Sequence, residues 1–149
     1  MRSRNNGRVS QQNVDVVSAG VAAINETFKA DDIGAWALHV EGAFEPDAVL
    51  EASDSAFTEG EWRGHVGATQ FVANPMDVLE NMWIRADEII DIDDHQVIAV
   101  TTFGGHARLS GLELENSFAN LFEMHEGKVR AWRVFENREM ALEAVGRSR

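Results

Sequence analysis

The feature that most constrains this fold is a change of hydrophobic period near Trp83. Before it, apolar residues recur at helical spacing. Val14, Val17, Val21, Ile24 and Phe28 share one face of a helix over Gln11–Ala30, opened by Ser10. From Trp83 onward the period is two. Trp83–Ile92, Gln96–Arg108, Leu112–Met124 and Lys128–Glu136 read as strands, separated by Asp93-Asp94, Leu109-Ser110-Gly111 and His125-Glu126-Gly127. Helices followed by a long meander predict an α+β domain whose helices cover one face of a curved antiparallel sheet. A bent sheet facing helices encloses a cavity, and such a cavity is a natural small-molecule site.

The segments between fit this plan. Asp31 or Asp32 caps a second helix reaching about Val40. Glu41–Asp47 reads as a turn holding Pro46, Ala48–Ala52 as a short strand and Ser53–Gly60 as a polar loop. His65–Met82 reads as a third helix, split at Asn74-Pro75 because proline removes a donor and restricts the residue before it. Asn137 caps a closing helix, Arg138–Val145, that ends at Gly146. Residues 1–9 read as a disordered polar tail and 10–149 as one domain, with no internal repeat or linker.

Composition removes several chemistries. The chain has no cysteine, so disulfides and thiolate chemistry are excluded, and no tyrosine, so no phenol can act as an acid. A formal net charge of −12 argues against nucleic acid, because an acidic surface repels phosphate backbones. No apolar run approaches membrane-span length, and none follows the basic Met1–Arg8 start, so the chain reads as cytoplasmic and without a membrane partner. Arg2, Arg4, Arg8, Arg147 and Arg149 read as solvated tails. Asp91–His95 lies at a strand turn without the spacing of a calcium loop, and no cofactor motif is present, so neither metal nor cofactor is expected.

Glu126-Gly127-Lys128-Val129 followed by Trp132-Arg133-Val134-Phe135-Glu136-Asn137-Arg138-Glu139 resembles the C-terminal signature of the SnoaL-like branch of the nuclear-transport-factor-2-like superfamily. Trp62-Arg63-Gly64-His65 is similar to that branch's middle signature, and the helix–helix–strand opening from Val14 to Ala52 also fits. The resemblance covers roughly residues 12–146. It implies a cone-shaped α+β fold around one pocket, frequent homodimers, and relatives that include ketosteroid isomerase, scytalone dehydratase, limonene-epoxide hydrolase and polyketide cyclases. Where the epoxide hydrolase carries an arginine and two aspartates, Thr102, Gly104 and Val134 stand here, so epoxide hydrolysis is not expected. The resemblance to the polyketide cyclases places Glu136 at their acidic general base, one methylene longer than their aspartate, and His106 at their histidine.

Strand alternation supplies a separate reading of the pocket. If even-numbered residues point inward on the last three strands, Val100, Phe118, Trp132 and Val134 form apolar wall. Thr102, His106, Asn116, Asn120 and Glu136 then supply polar groups, with Arg130 on the same face. Leu121, Val129 and Phe135 fall on the outer face, where a second subunit could cover them. His39 reads as a rim residue, and Trp62 and Trp83 as further wall.

Two functions follow from these residues. One is binding of a small apolar or ring-shaped ligand with cofactor-independent acid–base chemistry of an isomerase, cyclase or dehydratase kind. There Glu136 accepts a proton, desolvation raises its pKa, and His106 and Asn120 assist. The other is a catalytically silent member that binds a ligand or a protein. In that reading Glu136 only serves the helix start, His106 is a strand-end surface residue, and the asparagines satisfy internal hydrogen bonds.

Overall fold

The protein is described by a computed structural model over residues 4–52 and 60–146. In chain order the elements are α1 (Arg4–Ala30), α2 (Gly34–Ala43), β1 (Phe44–Ala52), β2 (Gly60–Arg63), α3 (Gly64–Met76), β3 (Leu79–Asp91), β4 (Gln96–Ala107), β5 (Glu113–His125), β6 (Lys128–Phe135) and α4 (Arg138–Ala144). The strands form one open sheet in the order β2-β1-β6-β5-β4-β3. All neighbours run antiparallel except β1 and β6, which are parallel, so the expected antiparallel sheet is in fact mixed. Among the described residues no helix is long and apolar enough to cross a membrane.

Several boundaries differ from the sequence reading for local reasons. α1 already runs at Arg4, so 4–9 continue the helix ladder. Asp32 accepts the Gly34 N–H at 2.8 Å, which starts α2, while Ile33 stands at the cap position. The expected turn over 41–47 is instead the last turn of α2 running directly into β1, with Pro46 at a wide irregularity between the Phe44 and Val49 pairings. α3 is a single piece that stops at Met76, one residue after Pro75, and 79–82 belong to β3. The loop expected over Ser53–Gly60 lies, apart from Gly60, outside the described residues, as do Arg2, Arg147 and Arg149. Asn137 does cap α4, its side chain accepting the Met140 N–H at 2.9 Å.

Tight approaches explain the glycine of the Trp62-Arg63-Gly64 turn. Gly64 has φ +69°, where a Cβ is strained, and that Cβ would also sit 3.1 Å from the Pro46 carbonyl oxygen. The chain can therefore reverse from β2 into α3 against β1.

The sheet has two differently covered faces. α1, α2 and α3 pack on the concave face, where Val17, Trp36, Val40, Phe44, Leu50, Phe122, Val129 and Trp132 are buried. Trp36 ties the helices together. Its backbone N–H donates to Thr27 Oγ1 at 2.9 Å and its indole N–H to the Ala68 carbonyl at 3.0 Å. The N-terminal half of α1 is fastened to the β3–β4 turn by Ser10 Oγ to Asp94 and Asn13 Nδ2 to the Asp94 carbonyl. On the convex face, Ile98, Ala119 and Leu121 are buried beneath Ala141 and Leu142 of α4, with Phe135 packed at the side. This part of the outer apolar face is thus covered by the chain's own last helix. Val129, expected outside, is inside.

Beside the β5–β6 turn, Glu45 receives His125 Nδ1 at 2.9 Å and Arg130 Nε at 3.4 Å. The His125 hydrogen bond, then the Arg130 guanidinium, hold its carboxyl below the usual carboxylate range. A lowered folded-state pKa contributes stability above the ordinary value of 4.5, and that stability is lost as pH falls through the lowered value. Glu45→Gln should therefore show a smaller loss of melting temperature on acidification below pH 4.5 than the parent. The difference should be small, because the groups lie near solvent.

Two helical glycines should respond oppositely to alanine. A Cβ on Gly42 meets nothing within 4 Å, so Gly42→Ala should stabilise by about 0.5–1 kcal/mol through helix propensity. A Cβ on Gly67 would lie 2.9 Å from the Trp62 carbonyl carbon, and backbone cannot give way cheaply. Gly67→Ala should lose about 1–3 kcal/mol despite the same propensity gain, as read by urea unfolding.

Candidate functional site

The concave core is not completely filled. Between the helices and the sheet lies a cavity with two adjoining lobes. The outer lobe, which opens to solvent, holds about 90 Å³ and the inner about 40 Å³. Ile24, Ile84, Thr101, Asn120 and Trp132 line both, so they form the waist. Phe28, Phe71, Val72, Met82, Phe103 and Phe118 wall the outer lobe, with Val134 at its floor. Val17, Gly20, Trp36, His39, Phe44 and Phe122 wall the inner one. Among the described residues no lining side chain of either lobe is a carboxylate, lysine or arginine.

Trp132 is the aromatic hub of this wall. Its ring lies 5.1 Å from Phe71 and Phe122, 6.0 Å from Trp36 and 6.2 Å from Phe44, centroid to centroid. Edge and tilted contacts of this kind stabilise beyond simple burial. Its indole N–H donates to Asn120 Oδ1 at 3.0 Å. The Asn120 amide nitrogen donates to the Ala99 carbonyl at 2.9 Å and to Thr101 Oγ1 at 3.0 Å. Asn120 is 7 % exposed, with its carbonyl and both amide hydrogens engaged. Both amide hydrogens, which an assisting role would draw on, are thus already donated within the protein.

His39 faces the inner lobe and stacks on Trp36 with centroids 5.5 Å apart. Gly20 makes room for it, since a Cβ there would lie 3.1 Å from His39 Nε2. Burial holds its imidazole pKa below the ordinary 6.5, so the ring is neutral at neutral pH. Neither ring nitrogen has a hydrogen-bond partner among the described residues.

The remaining sequence candidates divide by strand parity. Phe118, Asn120, Trp132 and Val134 face the cavity as the even-number reading expects. On β4 that reading is inverted. Thr101 pairs with Phe118 and Phe103 with Asn116, so odd residues of β4 share the cavity face. Val100, Thr102 and His106 therefore lie on the convex face. Val100 packs in the cluster under α4. Thr102 is hydrogen-bonded to Asp87 and to Ser117. His106 stands between Glu80 and Glu113 on the neighbouring strands, with its Nδ1 buried and without a partner among the described residues. Trp83 is on the convex side as well, across Gly104 and beneath the Arg85 guanidinium 5.3 Å away.

Glu136 follows β6, is exposed, and lines neither lobe, so it is not brought together with His106 or Asn120. Asn116 is on the cavity face beside Phe103 but outside both linings. Trp62 sits behind the wall, 5.0 Å from Phe71. Arg130 points to Glu45, not inward, because a bulge at that position switches parity within β6. The sequence reading missed Thr101, Phe103, Ile84 and the α3 residues Phe71 and Val72. Only Thr101 and Phe103 had a local signal, the alternation of β4 itself, whose phase one strand cannot set.

No protein-family model matches the chain and no curated protein matches its sequence. Solved structures do match. A protein from Jannaschia sp. CCS1 described as a SnoaL-like polyketide cyclase is 18% identical, with a TM-score of 0.68 over 98% of this chain and 94% of that one. A ketosteroid isomerase-like protein from Catenulispora acidiphila, in complex with trimethylamine, is 15% identical with a TM-score of 0.66 over 89% and 92%. TerC co-crystallised with polyporic acid is 21% identical with a TM-score of 0.63 over 85% and 92%. At these identities the likeness is one of fold, and fold leaves chemistry open. Matching these structures over most of its length, the chain has the nuclear-transport-factor-2-like fold, and its fold neighbours include proteins described as SnoaL-like, NTF2-like and ketosteroid isomerase-like.

Proposed function

We propose that this protein binds a small, uncharged, mostly apolar molecule carrying a ring, held in the two-lobed cavity. The observation that carries this is the waist. An uncharged aromatic and aliphatic wall closes around one prearranged polar network, Trp132–Asn120–Thr101. Apolar pockets with few convergent polar groups are typical small-molecule sites. Two fold neighbours are complexes with small molecules, trimethylamine and polyporic acid, which supports small-molecule binding in this fold. Charged ligands are disfavoured, because no lining side chain among the described residues would compensate a buried charge.

A second reading, acid–base chemistry, has one specific observation in its favour. His39 is a neutral imidazole on the inner lobe with both nitrogens unengaged. It can accept a proton from a bound carbon or oxygen acid, a task for which Glu136 is misplaced. The homodimer implied by the resemblance would use the half of the convex face that α4 leaves open, around Trp83, Arg85 and Ser117. A cytoplasmic location rests on the sequence reading alone.

Titration with toluene, followed by 1H–15N NMR, tests the first reading. Saturable shifts should centre on the Trp132 indole and Asn120 amide signals. Val134→Phe, which fills the outer lobe, should weaken binding at least tenfold while the fold persists. Shifts scattered over the surface, or unchanged affinity in the filled variant, would sink the proposal.

His39 gives a pH test with a definite sign. Its folded pKa lies below 6.5, so below that pH the unfolded chain binds the proton more readily. Stability should fall as pH drops from 6.5 toward the lowered value, and His39→Phe should flatten that part of the profile. Toluene affinity should fall only as pH drops through and below that lowered value, where the folded His39 protonates and places a charge on the cavity wall.

A further inference from the structure

The hydrogen-bond ledger at the waist leaves one proton unspent. An indole N–H can only donate, so the Asn120 atom it meets is the carbonyl oxygen. A backbone carbonyl can only accept, so the Asn120 atom at Ala99 is the amide nitrogen. The amide orientation is fixed twice over. The contact with Thr101 Oγ1 is then an N–H donated to the hydroxyl oxygen. The hydroxyl's own hydrogen has no acceptor among the described residues.

Thr101 is 5 % exposed and lines both lobes. A buried hydroxyl proton without an acceptor is costly, and a water there would need two or more polar partners. Each bond in the chain Trp132 N–H, Asn120 amide, Thr101 hydroxyl polarises the next, which makes the terminal O–H a stronger donor than an isolated threonine.

We infer that the Thr101 hydroxyl is the specificity-determining donor of the cavity, and that the ligand is an uncharged ring compound presenting one acceptor oxygen, a carbonyl or ether, to it at the waist. This rests on the cavity being a ligand site and adds which atom of the ligand is read. The ring packs against Trp132 and Phe118 while the oxygen completes the Asn120 network.

Cyclohexanone and methylenecyclohexane have nearly the same shape and differ in C=O against C=CH2. Both are titrated by NMR into the parent chain, Thr101→Val and Thr101→Ser. Relative to methylenecyclohexane, cyclohexanone should lose about 3–10-fold in affinity in Thr101→Val, the worth of one hydrogen bond, and keep its affinity in Thr101→Ser. The infrared carbonyl stretch of cyclohexanone bound to the parent should lie below its value in hexane, a readout that needs no variant to fold. An unchanged ketone-to-alkene ratio in Thr101→Val, or a bound stretch at the hexane value, overturns the inference. Saturable binding of methylenecyclohexane alone also overturns it while leaving the cavity reading intact, and binding of neither compound removes both.

Discussion

The tie between the Trp132 indole and Asn120 organises the interior. Trp132 comes from β6 and Asn120 from the adjacent β5, where it also reaches across to β4 through Ala99 and Thr101. One indole thus joins three strands by hydrogen bonds and, through Trp36, Phe44 and Phe71, both central helices and β1 by ring contacts. A large apolar ring with its single donor satisfied can sit at the sheet's concave centre without a desolvation penalty. The side chains around it cannot collapse fully onto its face, and the space they leave is the cavity.

The strand register decides what that cavity contains. β4 and β5 pair His106 with Glu113, so the six residues 107–112 between them set odd against even numbers on each face. β5 and β6 meet at the two-residue turn Glu126-Gly127, both in the left-handed region, and the bulge at Arg130 then switches the facing residues. A one-residue slip moves every side chain of a strand to the other face. That is why Thr101, not Thr102, stands in the cavity, and why His106 is separated from it by the thickness of the sheet.

The chain keeps its many charges away from this interior. Carboxylates such as Glu45, Asp87 and Glu88 are paired with basic or hydroxyl groups at the margins and on the convex face. The cavity is left with neutral polarity: one amide, one hydroxyl and one desolvated imidazole. Among the described residues no carboxylate lines it.

Most of the architecture was legible in the residues. The helical face of α1, the hairpin turn before β6, read one residue too long at His125, the Asn137 cap and the aromatic wall at Trp132 and Phe118 follow from local rules of period, turn chemistry and capping. The Trp62-Arg63-Gly64 turn was legible as a motif, and coordinates supplied its cause in the close approach to Pro46. Sequence by itself determined that this chain builds helices over a curved sheet with an apolar interior, because periodicity and turns are properties of neighbours along the chain. Only tertiary structure decided which threonine, which histidine and which carboxylates belong to that interior. Parity across a pair of strands depends on loop lengths and bulges that no single strand encodes, and the same geometry leaves Glu136 outside.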